Sequence, residues 1–541
     1  MLQRPQNLPF GASSRDHSGH EPFSILEMPM IFHQCRCRAL KAALLGAGVL
    51  TALLAGTPVL ALEEVLIEIP LLETTVRVSL NELDSAEKLQ QGSSDLAELD
   101  RATDGAVGRQ VRSLLLQPVP LSLRQVADGS VGSPLLEQAM LVISSLGTVE
   151  GRSTDLSGRT LRDALLRASA RGEPTLLSLM QAIPGQRVTL NLGRARAIVS
   201  RMARQRQQAE ALLASTTAAT AAPAAPQAPV AAASERTVNL AVPHRGQPLE
   251  LTLIEPTVHA NGRFVLISHG LWDQPASFLG WARLLAANGT TAVLPRHPGS
   301  DSSQQQAVLA GASPPPGPEE LSLRPKDLSA VLDAAAAGRL TFRQPVDPRR
   351  VVVLGHSWGA TTALQLAGVR PTDTTLRQRC VNLDDPARNL SWTLQCSWLK
   401  GVQSAALRDP RVIAVGAVSP PVSLLFPRGS GSELSGRVLL ISGSRDWVVP
   451  PDPEAIEPMR WGTTLGNQLV LVQGGDHFNL RPEGAADGGV LGPLLQAWTD
   501  AAFAAGLSVR PVRGAAPLLP RGTWGSAEFL MTDVTDRLAA P

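Results

Sequence analysis

The chain has 541 residues, 44% of them hydrophobic, and 49 basic against 47 acidic side chains give a net charge of +2. That size and apolar content fit two or three globular domains and exclude a disordered chain, while the near-neutral balance excludes nucleic-acid binding driven by a strong basic field. Tyrosine is absent, and with lysine only at positions 41, 88, 326 and 400, 45 of the 49 basic residues are arginine, a bias that a GC-rich coding sequence explains without any arginine-dependent function.

Residues 36–61, RCRALKAALLGAGVLTALLAGTPVLA, place Arg36, Arg38 and Lys41 ahead of an uncharged apolar stretch that ends in Val59-x-Ala61. This is the pattern of a secretory signal, with cleavage expected after Ala61. Glycines and Thr57-Pro58 interrupt the stretch, which reads against a retained transmembrane helix, and Met28 or Met30 is an alternative start. Removing 1–61 takes five basic residues from 49 and three acidic ones from 47, so the mature chain carries 44 of each. Cys35 and Cys37 leave with the signal. Cys380 and Cys396 remain, an even count for an oxidising compartment, and a disulfide between them is expected; two separate buried thiols are the alternative.

From 62 to 215 the chain opens with the strand-like runs EVLIEIPLL and TTVRVSLNEL and then turns helical. SPLLEQAMLVISSLG and SGRTLRDALLRASA repeat apolar residues at helical spacing behind serine caps. A small, mostly helical domain is expected, closed by the Arg-rich helix GRARAIVSRMARQRQQAEALL, whose charges read first as a solvated face and second as a contact to an envelope or membrane surface. Residues 216–234 are an Ala/Pro-rich linker, too poor in buriable side chains to pack and too rich in proline for a regular helix.

From 235 to 508 eight apolar runs, RTVNLAVP, LELTLIEP, RFVLISHG, TTAVLPRH, RVVVLGHS, RVIAVGAVS, RVLLISGS and NQLVLVQGG, alternate with helical or loop segments. That rhythm predicts an α/β fold with a mainly parallel eight-stranded sheet, its first two strands antiparallel. The tail 509–541 holds enough apolar residues to dock on the surface.

Gly-His-Ser-Trp-Gly, 355–359, sits where the fifth run gives way to a helical pattern. Alone, G-x-S-x-G is weakly specific in a glycine-rich chain. Its context supplies the rest: a serine on a strand-to-helix turn is activated only by a base, and Asp446 and His477 follow the seventh and eighth runs in the order Ser, Asp, His that this arrangement uses. Asp476, beside the histidine, is badly placed to orient it. The backbone N–H groups of Trp358 and Leu271 are the candidate oxyanion donors, with His269 and His356 read as structural. Two S-x-x-K matches, at Ser85 and Ser397, lack the S-D-N and K-T-G partners of penicillin-binding chemistry. No metal-ligand or nucleotide-binding spacing occurs, so no cofactor or metal is expected.

The segments SHGLWD, RHPGSDS, GHSWGA, GSRDWVVP and GGDHF, in that order, resemble the serine-dependent branch of the dienelactone-hydrolase-like α/β hydrolases, which is similar to platelet-activating-factor acetylhydrolase. With the signal, the helical N-terminal domain and the Cys380/Cys396 pair, the whole resembles hydrolases of cyanobacterial type. The resemblance implies Ser357 as nucleophile, Asp446 as acid and His477 as base, with Leu271 and Trp358 donating to the oxyanion. Dienelactone hydrolases themselves carry cysteine where this chain has Ser357.

Trp272, Trp358 and Trp447 neighbour the three catalytic loops, and Trp392 and Trp398 flank Cys396 in an insert near 371–411. They predict an apolar acyl pocket under a stapled lid, and hence an exported esterase acting on short or medium acyl esters or lipid-like substrates. A peptidase or amidase on the same triad and a non-catalytic envelope-binding protein are the competing readings.

Overall fold

A computed structural model describes residues 61–69, 73–119, 122–214, 233–403, 407–426, 430–460, 462–521, 523–526 and 528–538. The signal expected at 1–61 and the linker at 216–234 fall almost entirely outside these described residues.

The N-terminal part is a four-stranded sheet with helices packed on it. Strands β1 (Glu64–Ile69), β2 (Thr74–Ser79), β3 (Gly147–Val149) and β4 (Arg187–Asn191) lie in the order β2-β1-β4-β3. β1 and β2 are the two runs read as strands; β3 and β4 pair across long sequence gaps and so leave little local signal. Leu62, Val65, Ile67, Leu96, Ala164, Val188 and Leu190 close a core belonging to this part alone. Of the two serines expected as caps, Ser133 acts as one, its hydroxyl accepting the Leu136 N–H at the start of the helix Pro134–Ser144, whereas the helix Arg159–Ser169 has Gly158 at its cap position and Ser157 lies one residue before it.

All eight runs of the second part form strands: β5 (Ala233–Leu240), β6 (Leu249–Pro256), β7 (Phe264–Ser268), β8 (Thr291–Pro295), β9 (Val351–His356), β10 (Val412–Val418), β11 (Arg437–Gly443) and β12 (Gln468–Val472). The tail does more than dock, because β13 (Thr523–Gly525) and β14 (Leu530–Asp533) extend the sheet to ten strands, in the order β13-β14-β12-β11-β10-β9-β7-β8-β6-β5. At the centre the adjacent pairs β8/β7, β7/β9, β9/β10, β10/β11 and β11/β12 are all parallel, while the edge pairs β5/β6, β6/β8, β12/β14 and β13/β14 are antiparallel.

The central strands are apolar throughout because both faces are covered. In β9, Val351 and Val353 join the core that also contains Leu328, Val331 and Leu364 from the helices Glu320–Ala336 and Trp358–Leu366. Val352 and Leu354 face the other side, with Trp281 and Trp498 from the helices Leu279–Ala287 and Gly492–Ala504. Strand order reverses between β7 and β9, and crevices form at the carboxyl ends of strands at such a point. The loops after β7 and β9 therefore meet where a ligand site is expected.

Cys380 and Cys396 are joined, with Cα atoms 5.7 Å apart. The bond ties the helix Thr374–Arg379 to Ser391–Ser397 around a core of Leu376, Trp392, Trp398 and Leu424. Closing a loop of this length contributes about 3 kcal/mol through the unfolded chain. A Cys380→Ala/Cys396→Ala double variant is therefore expected to lose about that much unfolding free energy in urea, and adding reductant to the unaltered protein should reproduce the loss.

The N-terminal part packs onto this insert and onto the helix that follows β8. The helix Pro134–Ser144 lies against Ser391–Ser397, and Ser122–Ser130 against Ser302–Leu309. The Arg-rich helix Leu192–Ala214 does show solvent a charged face, with Arg196, Arg204 and Arg206 exposed; its opposite stripe packs, Arg201 Nη1 and Gln205 Nε2 donating to the carbonyls of Arg388 and Ala387 and Ala209 entering the core of the second part. Among the described residues no helix is long and apolar enough to cross a membrane.

Candidate active site

Ser357 stands between β9 and the helix Trp358–Leu366 at φ 54° and ψ −124°. A positive φ is costly for any residue with a Cβ, so such a conformation persists only where its surroundings enforce it. Its N–H donates to the Val418 carbonyl at 2.8 Å, and its carbonyl accepts from Ala360 and Thr361. The flanking glycines are demanded by proximity. A Cβ on Gly355 would lie 2.3 Å from the Gly359 oxygen, and one on Gly359 would lie 2.0 Å from the Ser268 oxygen.

Asp446 follows β11 and His477 follows β12. The His477 Nδ1–H donates to Asp446 Oδ2 at 2.9 Å, while Oδ1 accepts the backbone N–H groups of Val448 at 3.0 Å and Val449 at 2.7 Å. The carboxylate is thus locked in orientation and it fixes the tautomer of the imidazole, leaving Nε2 with a lone pair. Asp446, His477 and Ser357 are 3%, 5% and 7% exposed, so the group is nearly closed to bulk water. His356 bridges the serine turn to the histidine loop, its Nε2–H donating to the His477 carbonyl at 2.8 Å with the two rings 4.7 Å apart. Burial, then the nearby His477 and Arg481, pushes His356 well below the usual histidine range, which keeps it neutral. Asp476 is turned away from the pair and accepts the N–H groups of Phe478 and Asn479, shaping its own loop.

The loop after β7 closes on the serine: a Cβ on Gly270 would stand 3.2 Å from the Ser357 Cβ. Leu271 and Trp358 are therefore neighbours of the same turn. The Trp358 side chain points down into the insert, where it packs on Trp398 with centroids 4.9 Å apart. Trp358, Trp392 and Trp398 are 0%, 0% and 1% exposed, so these three fill the core of the insert rather than line an open mouth. Sequence proximity to the Ser357, Asp446 or His477 loop does not fix which way an indole points. At the surface, Trp447 and Phe478, each one residue beyond Asp446 and His477, are 51% and 48% exposed.

Sequence reasoning missed a buried polar cluster under this site. His297, after β8, and Asp327, within the helix Glu320–Ala336, are bonded to each other and sit at 0% exposure, as does Arg324. Its one sequence trace is the segment RHPGSDS, which contains His297. A separate cavity of about 140 Å³, lined by residues including Leu364, Val422, Phe426, Leu440 and Met459, touches none of Ser357, Asp446, His477 or Leu271. Among the described residues, no three His, Cys, Asp or Glu side chains are grouped to hold a metal ion.

The sheet order, with a strained serine turn after a central strand and a carboxylate and histidine beyond later ones, is that of the α/β-hydrolase fold. Residues 264–393 match the family model described as alpha/beta hydrolase fold. Residues 61–191, the N-terminal sheet and helices, match one described as an alpha/beta hydrolase of unknown function, DUF1400. No curated protein matches the chain.

Proposed function

We propose that this chain is an exported serine hydrolase that cleaves carboxylic esters of short or medium acyl length through an acyl-enzyme on Ser357. The observation that carries the reading is the Asp446-oriented His477, whose packing partner His356 adjoins a serine in a strained turn. In this mechanism His477 Nε2 takes the Ser357 hydroxyl proton as Oγ attacks the ester carbonyl carbon. The carbonyl oxygen gains negative charge, which the N–H groups of Leu271 and Trp358 receive. Collapse of the tetrahedral intermediate expels the alcohol, which takes the proton from His477. Water, activated by the same imidazole, then releases the acid and restores Ser357. Asp446 holds the ring and stabilises its charged form.

The half-exposed Trp447 and Phe478 beside the pair favour an apolar substrate over a charged one. The motif resemblance to serine-dependent dienelactone-hydrolase-like enzymes and to platelet-activating-factor acetylhydrolase favours esters. Export rests on the signal pattern at 36–61 and on the buried disulfide. Envelope association through the N-terminal part would use what the helix Leu192–Ala214 leaves uncovered, since Arg201, Gln205 and Ala209 face the second part.

A series of p-nitrophenyl esters from acetyl to palmitoyl, beside the matching p-nitroanilides, tests the proposal. Turnover is expected on the shorter esters, falling with chain length, with the anilides at background. Equal cleavage of anilides would point to a peptidase or amidase, and inertness toward both series to a binding protein.

A further inference from the structure

Beneath the site lies a second chain of serine, histidine and aspartate. Ser268 ends β7, and its hydroxyl donates to His297 Nε2 at 3.0 Å; the His297 Nδ1–H donates to Asp327 Oδ2 at 2.7 Å. All three residues are at 0% exposure, so no substrate reaches Ser268 and the chain is not a second active site. Burial, then the charge of Arg324, lowers His297 to about 3, so its ring is neutral and both of its hydrogen bonds have a fixed direction.

What this chain holds is the loop that faces the nucleophile. The His297 backbone N–H donates to His269 Nε2 at 3.1 Å, and the opposite ring nitrogen, Nδ1–H, donates to the Gly270 carbonyl at 2.8 Å. A trans peptide is planar with its C=O and N–H pointing opposite ways. Holding the Gly270 oxygen on one side therefore aims the Leu271 N–H to the other. On the same loop, the His269 carbonyl accepts from Arg324 Nη2, and that guanidinium lies 4.9 Å over the Trp358 ring. The outer end is anchored as well: Asp327 accepts from His244 Nε2 at 2.8 Å and from Arg245 Nε at 2.9 Å and Nη2 at 2.6 Å.

We infer that Ser268, His297 and Asp327 form a sealed, catalytically silent relay whose task is to position the His269–Leu271 loop so that the Leu271 N–H is directed at the developing oxyanion. The inference rests on the reading of Ser357 as nucleophile. These are positioning residues: none touches substrate, and each acts through the next. A preorganised donor contributes only in the transition state, so a misaimed one lowers kcat and leaves KM in place.

The test compares Ser268→Ala and His297→Gln with the unaltered full chain, reading kcat and KM on a p-nitrophenyl ester, the inhibition constant of an aryl trifluoromethyl ketone, and the melting temperature. Ser268→Ala removes a single oxygen and guards against a His297→Gln chain that fails to fold. The expected result is a kcat about 10-fold lower in Ser268→Ala and lower still in His297→Gln, with KM nearly unchanged and ketone affinity weakened by the same factor as kcat/KM. A Ser268→Ala protein with wild-type kcat and ketone affinity, whatever its melting temperature, overturns the inference and leaves the Ser357 reading standing. Absence of Ser357-dependent turnover in the unaltered protein is a different failure, and removes both.

Discussion

Ser357→Ala is expected to lower kcat on p-nitrophenyl esters by about 10⁵- to 10⁶-fold, the order seen when the nucleophile of a serine hydrolase is deleted, while the fold survives. The substitution isolates one atom. Alanine has the same Cβ and so the same cost at φ 54°, the backbone bonds to Val418, Ala360 and Thr361 are untouched, and Gly355 and Gly359 still allow the turn to close. Unfolding free energy should therefore change by less than about 0.5 kcal/mol, so steady-state kinetics and urea denaturation on the same preparation separate chemistry from folding. A large loss of stability would mean that the Oγ has a structural partner in the turn.

The second large effect is expected at Asp446. Asp446→Asn should lower kcat by about 10⁴-fold with little change in stability. An asparagine can still accept the N–H groups of Val448 and Val449 through its oxygen, so the loop after β11 is retained. It then presents an NH₂ group where Oδ2 accepted the His477 proton, and the imidazole answers by placing its hydrogen on Nε2. A nitrogen that already carries a hydrogen cannot take one from the serine. Asp476→Asn is the matching control, because Asp476 bonds only within its own loop and does not face the imidazole. Parallel kinetics of the two variants distinguish loss of the orienting carboxylate from loss of any negative charge near His477.

The readable parts of this molecule are those whose signal is local. The six central runs, β7 to β12, are legible because a parallel strand buried on both faces needs a continuous apolar run, and VVVLGH shows it within six residues. The serine turn is legible for a related reason: two glycines around Ser357 are required by contacts made within that pentapeptide and with the adjoining strand. Asp446 and His477 could be placed by chain order alone, since each sits immediately past a recognisable strand.

What escaped is held together by contacts across long stretches of chain. β13 and β14 are three and four residues long, too short for a pattern, and become strands only because β12 offers an open edge. The Ser268–His297–Asp327 chain joins two strand ends to a helix interior, and no spacing rule connects such positions. The positions of Trp392 and Trp398 in the sequence suggest a pocket mouth, whereas their packing with Trp358 and Leu376 makes them the core of the insert. The arginines of the helix Leu192–Ala214 mark its solvated face, where Arg196, Arg204 and Arg206 are exposed, but not its packed one: that is decided by Arg201, Gln205 and Ala209, and the carbonyls that Arg201 and Gln205 bond lie more than 180 residues along the chain.

The central claim, that Ser357 is an activated nucleophile, is tested most directly by labelling the purified protein and its Ser357→Ala variant with a fluorophosphonate, followed by peptide mass mapping. One modified peptide, carrying the label on Ser357, in the unaltered protein and none in the variant is the result this account predicts. Equal labelling of the two proteins, or none in either, would contradict it.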